Sequence, residues 1–435
     1  MRDKKLADLA QSGRYRLANC TVPALLVQGE GRAGLIQVDI DIAEGKILAI
    51  TTAGSSPIHL PTFDVERSMV VPGFVDMHTH IDKGHIWPRT PNPDGTFMGA
   101  LLAVKSDREK AWSAEDVRRR MDFSLRCAYA HGTIALRTHL DSIPPQDAIS
   151  WPLFAEMRAE WKGRIELQAV ALMGIDQMLD AGILGQVARC VKAHGGILGG
   201  AMASHPLMGE AICRALDMAT ELDLDIDLHL DETLDNTSNG LRLLAEAVLA
   251  KKFAGKVVAG HCCSLARQDE DEAKHTVELV AKAGINVVSL PMCNLYLQDR
   301  GDGSTTPCYR GVTLIRELLA AGVNVSVASD NTRDPFYAYG DLDCLEVLRE
   351  TVRISHLDHP IDIAPALVTR NPAKAMGTEA GILAPDRTAD LIILRGRDWS
   401  EVLSRPESAR TVLRDGKMLD VELPDYRELD NLMER

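Results

Sequence analysis

Between Met69 and about residue 375, short apolar runs alternate with longer stretches of helical period. Eight of these runs read as strands: Met69 to His80, Thr133 to Asp141, Glu166 to Gly174, Gly196 to Ala203, Asp225 to Glu232, Lys256 to Ser264, Asn286 to Asn294 and Asn324 to Asn331. The spacers carry helix signals, such as Ser113 ahead of Glu115 and Asp116, and the amphipathic stretches Glu210 to Glu221, Asn239 to Ala250, Glu270 to Ala283 and Val312 to Ala321. Eight strand–helix units in one run predict an α/β protein built on a (β/α)8 TIM barrel, whose active site lies at the carboxyl ends of the strands. Before Met69 the pattern is short and β-like, and it returns to that character in Ala380–Leu394 and from Thr411 onward, where Asp415-Gly416 marks a hairpin turn. Both termini are therefore expected to build one small discontinuous β-sandwich domain, from residues 1–70 and 377–435, around a barrel of residues 71–376.

Composition narrows the partners. Among 435 residues, 46% are hydrophobic and 25% charged, ordinary for a soluble globular chain with a sizeable core. A net charge of −14, dispersed along the chain, argues against nucleic acid and anionic membrane surfaces as partners. No apolar run reaches membrane-spanning length, and the charged start is not followed by a secretory signal. Nine scattered cysteines without a C-x-x-C pair fit reduced thiols in a cytoplasmic protein.

The chemistry is expected where the strands end. The first strand finishes in His78-Thr79-His80, and residues i and i+2 of a strand point to the same side, so both imidazoles reach one point. The fifth ends in His229, Leu230, Asp231 and Glu232, the sixth in His261, the eighth in Asp330. Taken singly, each has an ordinary explanation: a buried histidine, a helix-start carboxylate, an N-cap. Taken together, His78, His80, His229 and Asp330 predict the ligands of one divalent zinc or iron ion with a position left for water, and His261 stands just outside them.

The same residues resemble the amidohydrolase superfamily, and within it the cytosine deaminase branch. His78-Thr-His80, His229 with Glu232, Gly260-His261 and Ser329-Asp330 carry the first resemblance. The segments Leu136–Asp141, Leu228–Glu232, Asn294–Arg300 and Asp330–Tyr337 carry the second. The resemblance implies a mononuclear site, since the fourth strand, Gly199 to Ser204, lacks the lysine that binuclear relatives carboxylate. It further implies a hydrolytic deaminase. A bound metal lowers the pKa of its water towards neutrality; Asp330 and His261 accept or orient that proton, and Glu232 protonates the ring nitrogen and helps ammonia leave. The P-C-x-x-C signature of the other zinc deaminase fold is absent. Self-association is expected from the same resemblance.

For the substrate, the departures from the family matter. The glutamine that reads the pyrimidine in cytosine deaminases corresponds to Gly174, the second acid after Asp330 is Asn331, and the following tryptophan is Phe336. The loop after the first strand adds Lys83 and Trp87 as candidate substrate contacts. A lost amide partner penalises a small polar ring and glycine makes room, so a larger aminated heterocycle such as a pterin is expected, with cytosine as the smaller choice. The alternatives are hydrolysis of a cyclic amide or of an N-alkylamino-triazine and, remotely, a non-catalytic scaffold.

Overall fold

The computed structural model describes residues 2–30, 33–202, 204–406 and 409–433. The chain packs as two compact units: residues 1–75, 128–135 and 344–423 form one, and residues 76–127, 136–343 and 424–435 the other. No helix among the described residues is long and apolar enough to cross a membrane.

In the first unit both termini contribute to one eight-stranded sheet. Its order is Lys417–Met418, Arg410–Arg414, Leu391–Leu394, Met69–Pro72, Arg14–Pro23, Leu35–Ala43 and Lys46–Thr52, with Thr62–Asp64 beside Arg14–Pro23. The side chains of Leu17, Val22, Ile40, Leu391 and Leu413 share one core, to which Leu6 and Ala10 of a helix at Arg2–Gln11 add. That helix was not expected. The Asp415-Gly416 hairpin is present, with φ of 49° and 67°, the left-handed pair that a two-residue turn needs.

The second unit contains most of the alternating region. Five of its strands, Leu198–Met202, Ile226–Leu230, Val257–His261, Asn286–Ser289 and Val325–Val327, form a parallel sheet in chain order. Phe74–Thr79, Thr133–Asp141 and Glu166–Leu172 form a second sheet. Isolated parallel bridges join Val170 to Ile197, Gly174 to Ala201 and Thr79 to Asp330. The fold is thus mixed α/β with parallel sheets, its strand ends gathered on one side.

Three expected strands need correction. Met69 to His80 is two strands broken at Gly73, the first part serving the terminal sheet and the second starting this one. A Cβ on Gly73 would stand 2.4 Å from Ile134 Cγ2, so only glycine passes there. The seventh strand stops at Ser289, and Pro291–Leu297 is a helix with proline in its first turn. The sixth stops at His261, and Cys263–Arg267 is a short 3-10 turn. Ala203, the expected end of the fourth strand, lies outside the described residues. A helix at Phe97–Ala111 in the loop after the first strand was also missed.

Candidate active site

His78, His80, His229, His261 and Asp330 converge at the strand ends of the second unit. His78 Nε2 is 3.1 Å from His229 Nε2, which is 3.3 Å from His80 Nε2. Asp330 Oδ1 lies 3.2 Å from His80 Nε2 and 3.6 Å from His78 Nε2. Ligand atoms about 2.0–2.1 Å from a zinc at the centre of a tetrahedron stand roughly 3.3–3.4 Å apart, and these four separations are of that size; among the described residues, the sets whose ligand atoms all lie within 4.8 Å of one another are His78, His261 and Asp330, and His78, His139 and His229.

The electrostatics fit as well. Burial, and next the neighbouring imidazoles or Lys83, push His78, His80 and His229 well below the usual histidine range, which keeps them in the neutral form that ligates. Both Asp330 oxygens are buried without a hydrogen-bond donor in normal geometry, and burial raises this carboxyl to about 7. A buried carboxylate left this poor in donors is matched by a divalent cation.

Local structure explains the placement. Asp330 N–H donates to His78 O at 2.9 Å and Ser329 N–H to Asp76 Oδ1 at 3.1 Å, which ties the last strand to the first. Asp330 and His261 have φ of 61° and 68°, so each leaves its strand in the left-handed region and turns its side chain over the strand ends. Asp231, between His229 and Glu232, accepts the backbone N–H groups of Gly240 and Leu241 at 2.8 Å each. It pins the chain to the start of the helix Gly240–Lys251.

Glu232 Oε1 lies 3.3 Å from His261 Nδ1, and its side chain is 13% exposed. Burial, then the Asp330 carboxylate, push its carboxyl well above the ordinary range, with Lys83 acting in the opposite direction. Lys83 is 4% exposed; its Nζ is 2.9 Å from Asp141 Oδ1 and 5.6 Å from the centre of the Phe336 ring. Burial disfavours its charge, but Asp141 and Asp82 outweigh burial and hold it above the usual lysine range. Phe336 packs edge-on against Phe97, with 5.5 Å between ring centres.

The remaining expected contacts are placed less directly. Asn331 is buried and donates to Asp334 Oδ2 at 2.7 Å. Gly174 caps the helix Ile175–Leu179, and a Cβ there would stand 2.8 Å from Gln177 Oε1. Trp87 is half-buried and ties in through its backbone N–H, 2.8 Å from Arg333 O; the structure does not gather it with the imidazoles.

Sequence reasoning missed His139. Its ring centre is 4.0 Å from that of His78 and 4.6 Å from that of His229, and His78, His139 and His229 form a second, overlapping set able to hold a cation. His139 stands two residues before the end of the second predicted strand, a position that by itself marks it only as a candidate. Behind it, Arg137 Nη1 meets Asp227 Oδ2 at 2.8 Å, and Asp227 Oδ1 is 4.0 Å from His139 Nε2. Asn294, whose amide reaches both Glu232 and His261, was also missed.

Parallel strands that end in clustered imidazoles, a buried aspartate and a glutamate beside them define a metal-dependent hydrolase. A profile of the amidohydrolase family matches residues 189–420. The chain is 55% identical to a pterin deaminase of Rhizobium rhizogenes over 97% of both proteins. It also superposes on the crystal structure of 5-methylcytosine deaminase from Klebsiella pneumoniae liganded with 5-fluorocytosine, with a TM-score of 0.81 and 26% identity, covering 95% of this chain and all of that one. The fold is shared too with N-isopropylammelide isopropylaminohydrolase from Burkholderia multivorans, at a TM-score of 0.74 and 22% identity, covering 93% and 97% of the two chains. The chain belongs to the amidohydrolase family.

Proposed function

We propose that the chain is a hydrolytic deaminase of aminated N-heterocycles and that its substrate is a pterin-sized fused ring rather than cytosine. The observation that carries the choice of ring is the 55% identity, over nearly the full length of both chains, to the Rhizobium rhizogenes pterin deaminase. Gly174, standing where cytosine deaminases carry their ring-reading glutamine, supports it by leaving more room.

In this reading His78, His80, His229 and Asp330 would hold one divalent ion, zinc or iron, which when bound would acidify a water towards neutrality. Asp330 and His261 orient the attacking oxygen. Glu232, whose burial beside Asp330 raises its carboxyl and so makes it a ready base, takes one proton from the attacking water and gives it to the ring nitrogen next to the amino-bearing carbon. The carbon becomes tetrahedral. Glu232 then takes the remaining proton from the same oxygen and passes it to the departing amine, so that C–NH2 and water become C=O and ammonia and the carboxylate is restored. Lys83 and Phe336 wall the ring on one side and Asn331 stiffens the loop that follows Asp330.

The three bridges between the sheets support a closed (β/α)8 barrel in the second unit, and in the first the terminal segments supply one eight-stranded sheet with its own core, where a sandwich of two sheets was expected. The nine scattered cysteines, with no C-x-x-C spacing among them, support a reduced, cytoplasmic setting.

The test is ammonia release by metal-loaded enzyme from pterin, cytosine, isocytosine, guanine and aminotriazines, with Glu232→Gln as control. The expected result is turnover of pterin well above cytosine, lost by roughly 100-fold or more in the variant at unchanged metal content. Cytosine turned over faster than any pterin would refute the larger ring. Release of an alkylamine instead of ammonia would move the assignment to triazine-type hydrolysis.

A further inference from the structure

Asn294 is 1% exposed and lies on the helix Pro291–Leu297 that follows the seventh strand of the second unit. Its Nδ2 is 3.0 Å from His261 Nδ1 and 3.3 Å from Glu232 Oε1, and those two atoms are 3.3 Å from each other. An amide nitrogen carries two hydrogens and no lone pair for accepting. Giving one hydrogen to the carboxylate oxygen and the other to Nδ1 satisfies all three atoms. The reversed amide would set its carbonyl oxygen against Glu232 Oε1.

The consequence falls on His261. An imidazole that accepts through one ring nitrogen is neutral and carries its single hydrogen on the other. With Nδ1 accepting from Asn294, that hydrogen sits on Nε2, which is buried and meets no protein partner among the described residues. A ring nitrogen of His261 lies within 4.8 Å of ligand atoms of His78 and Asp330. His261 thus offers an N–H to the oxygen that enters at the ring carbon, and a lone pair is not available there for taking a proton.

We propose that Asn294 is a positioning residue that fixes His261 as an Nε2–H donor and holds Glu232 beside it; this rests on the deaminase reading given above. Glu232 is the only one of the pair left to move protons, and His261 stabilises the oxygen on which charge develops. Gln298 adds a second tie to the same element, its Nε2 donating to Glu232 O at 3.4 Å.

Asn294→Asp tests this, because it keeps the shape and turns a donor into an acceptor. Steady-state kinetics of metal-loaded wild type, Asn294→Asp and Asn294→Ala are compared on the best ammonia-releasing substrate, with metal content measured for each. The expected result is a kcat lower by about 100-fold or more in Asn294→Asp, a smaller loss in Asn294→Ala, and KM within about threefold in both, at full metal content. A packing role gives the reverse order, with the isosteric Asp variant close to wild type and the Ala variant impaired, and overturns the proposal. Nitrogen-15 spectra of histidine-labelled wild type, with His261→Asn to assign the signal, read the tautomer without any turnover. An Nδ1–H tautomer overturns the proposal. A wild type that shows Nε2–H yet releases no ammonia leaves the hydrogen-bond assignment standing and removes the deaminase reading.

Discussion

Arg137→Met leaves Asp227 as an uncompensated charge directly behind the imidazole cluster. The pair is 3% and 0% exposed, and Arg137 also donates to Gln168 Oε1 at 2.8 and 3.1 Å, so water has little access to replace the lost partner. Breaking a buried pair from one side costs about 3–5 kcal/mol, whereas replacing both members with apolar groups is close to neutral. We therefore expect Arg137→Met to lose about that much stability and Arg137→Met with Asp227→Leu to regain most of it, a coupling of at least about 2 kcal/mol. The pH dependence carries a sign. Burial raises Asp227 to about 6 even with Arg137 lowering it, so its folded pKa already exceeds the unfolded value of about 3.9. A carboxyl raised on folding loses stability as pH climbs from the unfolded to the folded pKa, and without Arg137 that climb continues further. The gap between wild type and variant should thus widen above about pH 6, by at most about 1.4 kcal/mol per pH unit. Urea unfolding at pH 5.5 and pH 8 measures both. A deficit under about 1 kcal/mol at pH 8, or a larger deficit at pH 5.5 than at pH 8, would refute the reasoning.

Two further substitutions probe the site. A Cβ on Gly260 would stand 3.0 Å from His78 Cε1 and 3.3 Å from Nδ1, so Gly260→Ala should displace that ring and weaken metal binding by about tenfold or more, read by competition with a chelator; unchanged affinity would mean that the ring moves freely. On the proposed correspondence of Gly174 with the ring-reading glutamine of cytosine deaminases, Gly174→Gln restores an amide and forces Gln177 aside, since its Oε1 is 2.8 Å from the new Cβ. The ratio of kcat/KM for cytosine over pterin should rise about tenfold or more, and a ratio that stays put would take Gly174 out of ring selection.

Much of the site was legible because strand ends are marked in the pattern. His78 and His80 share a strand face by the two-residue period, and His229, His261 and Asp330 each close an apolar run. His139 stands near the end of one too, yet as an isolated histidine it gives no reason to prefer a ligand role over a core role. Asn294 was hidden by a wrong period: Asn286 to Asn294 reads as one apolar strand, whereas proline at 291 starts a helix that turns Asn294 toward Glu232. The terminal helix Arg2–Gln11 was hidden differently. Packing of Leu6 and Ala10 against the sheet stabilises it, and a ten-residue helix is marginal without such packing.

What the sequence determined by itself is the alternation of strands and helices, the return of β-like segments at both ends, and the set of metal-capable side chains at the strand ends. These follow from local periodicity and from residue type, which act over a few neighbours. The tertiary structure decided how far apart the side chains stand and what each one meets. The separations of 3.1–3.6 Å among four residues drawn from three strands, the elevated carboxyl of Glu232 and the amide bridge from Asn294 all depend on long-range contacts. Burial and charge at one point are set by every segment that arrives there, so no stretch of sequence read alone could report them.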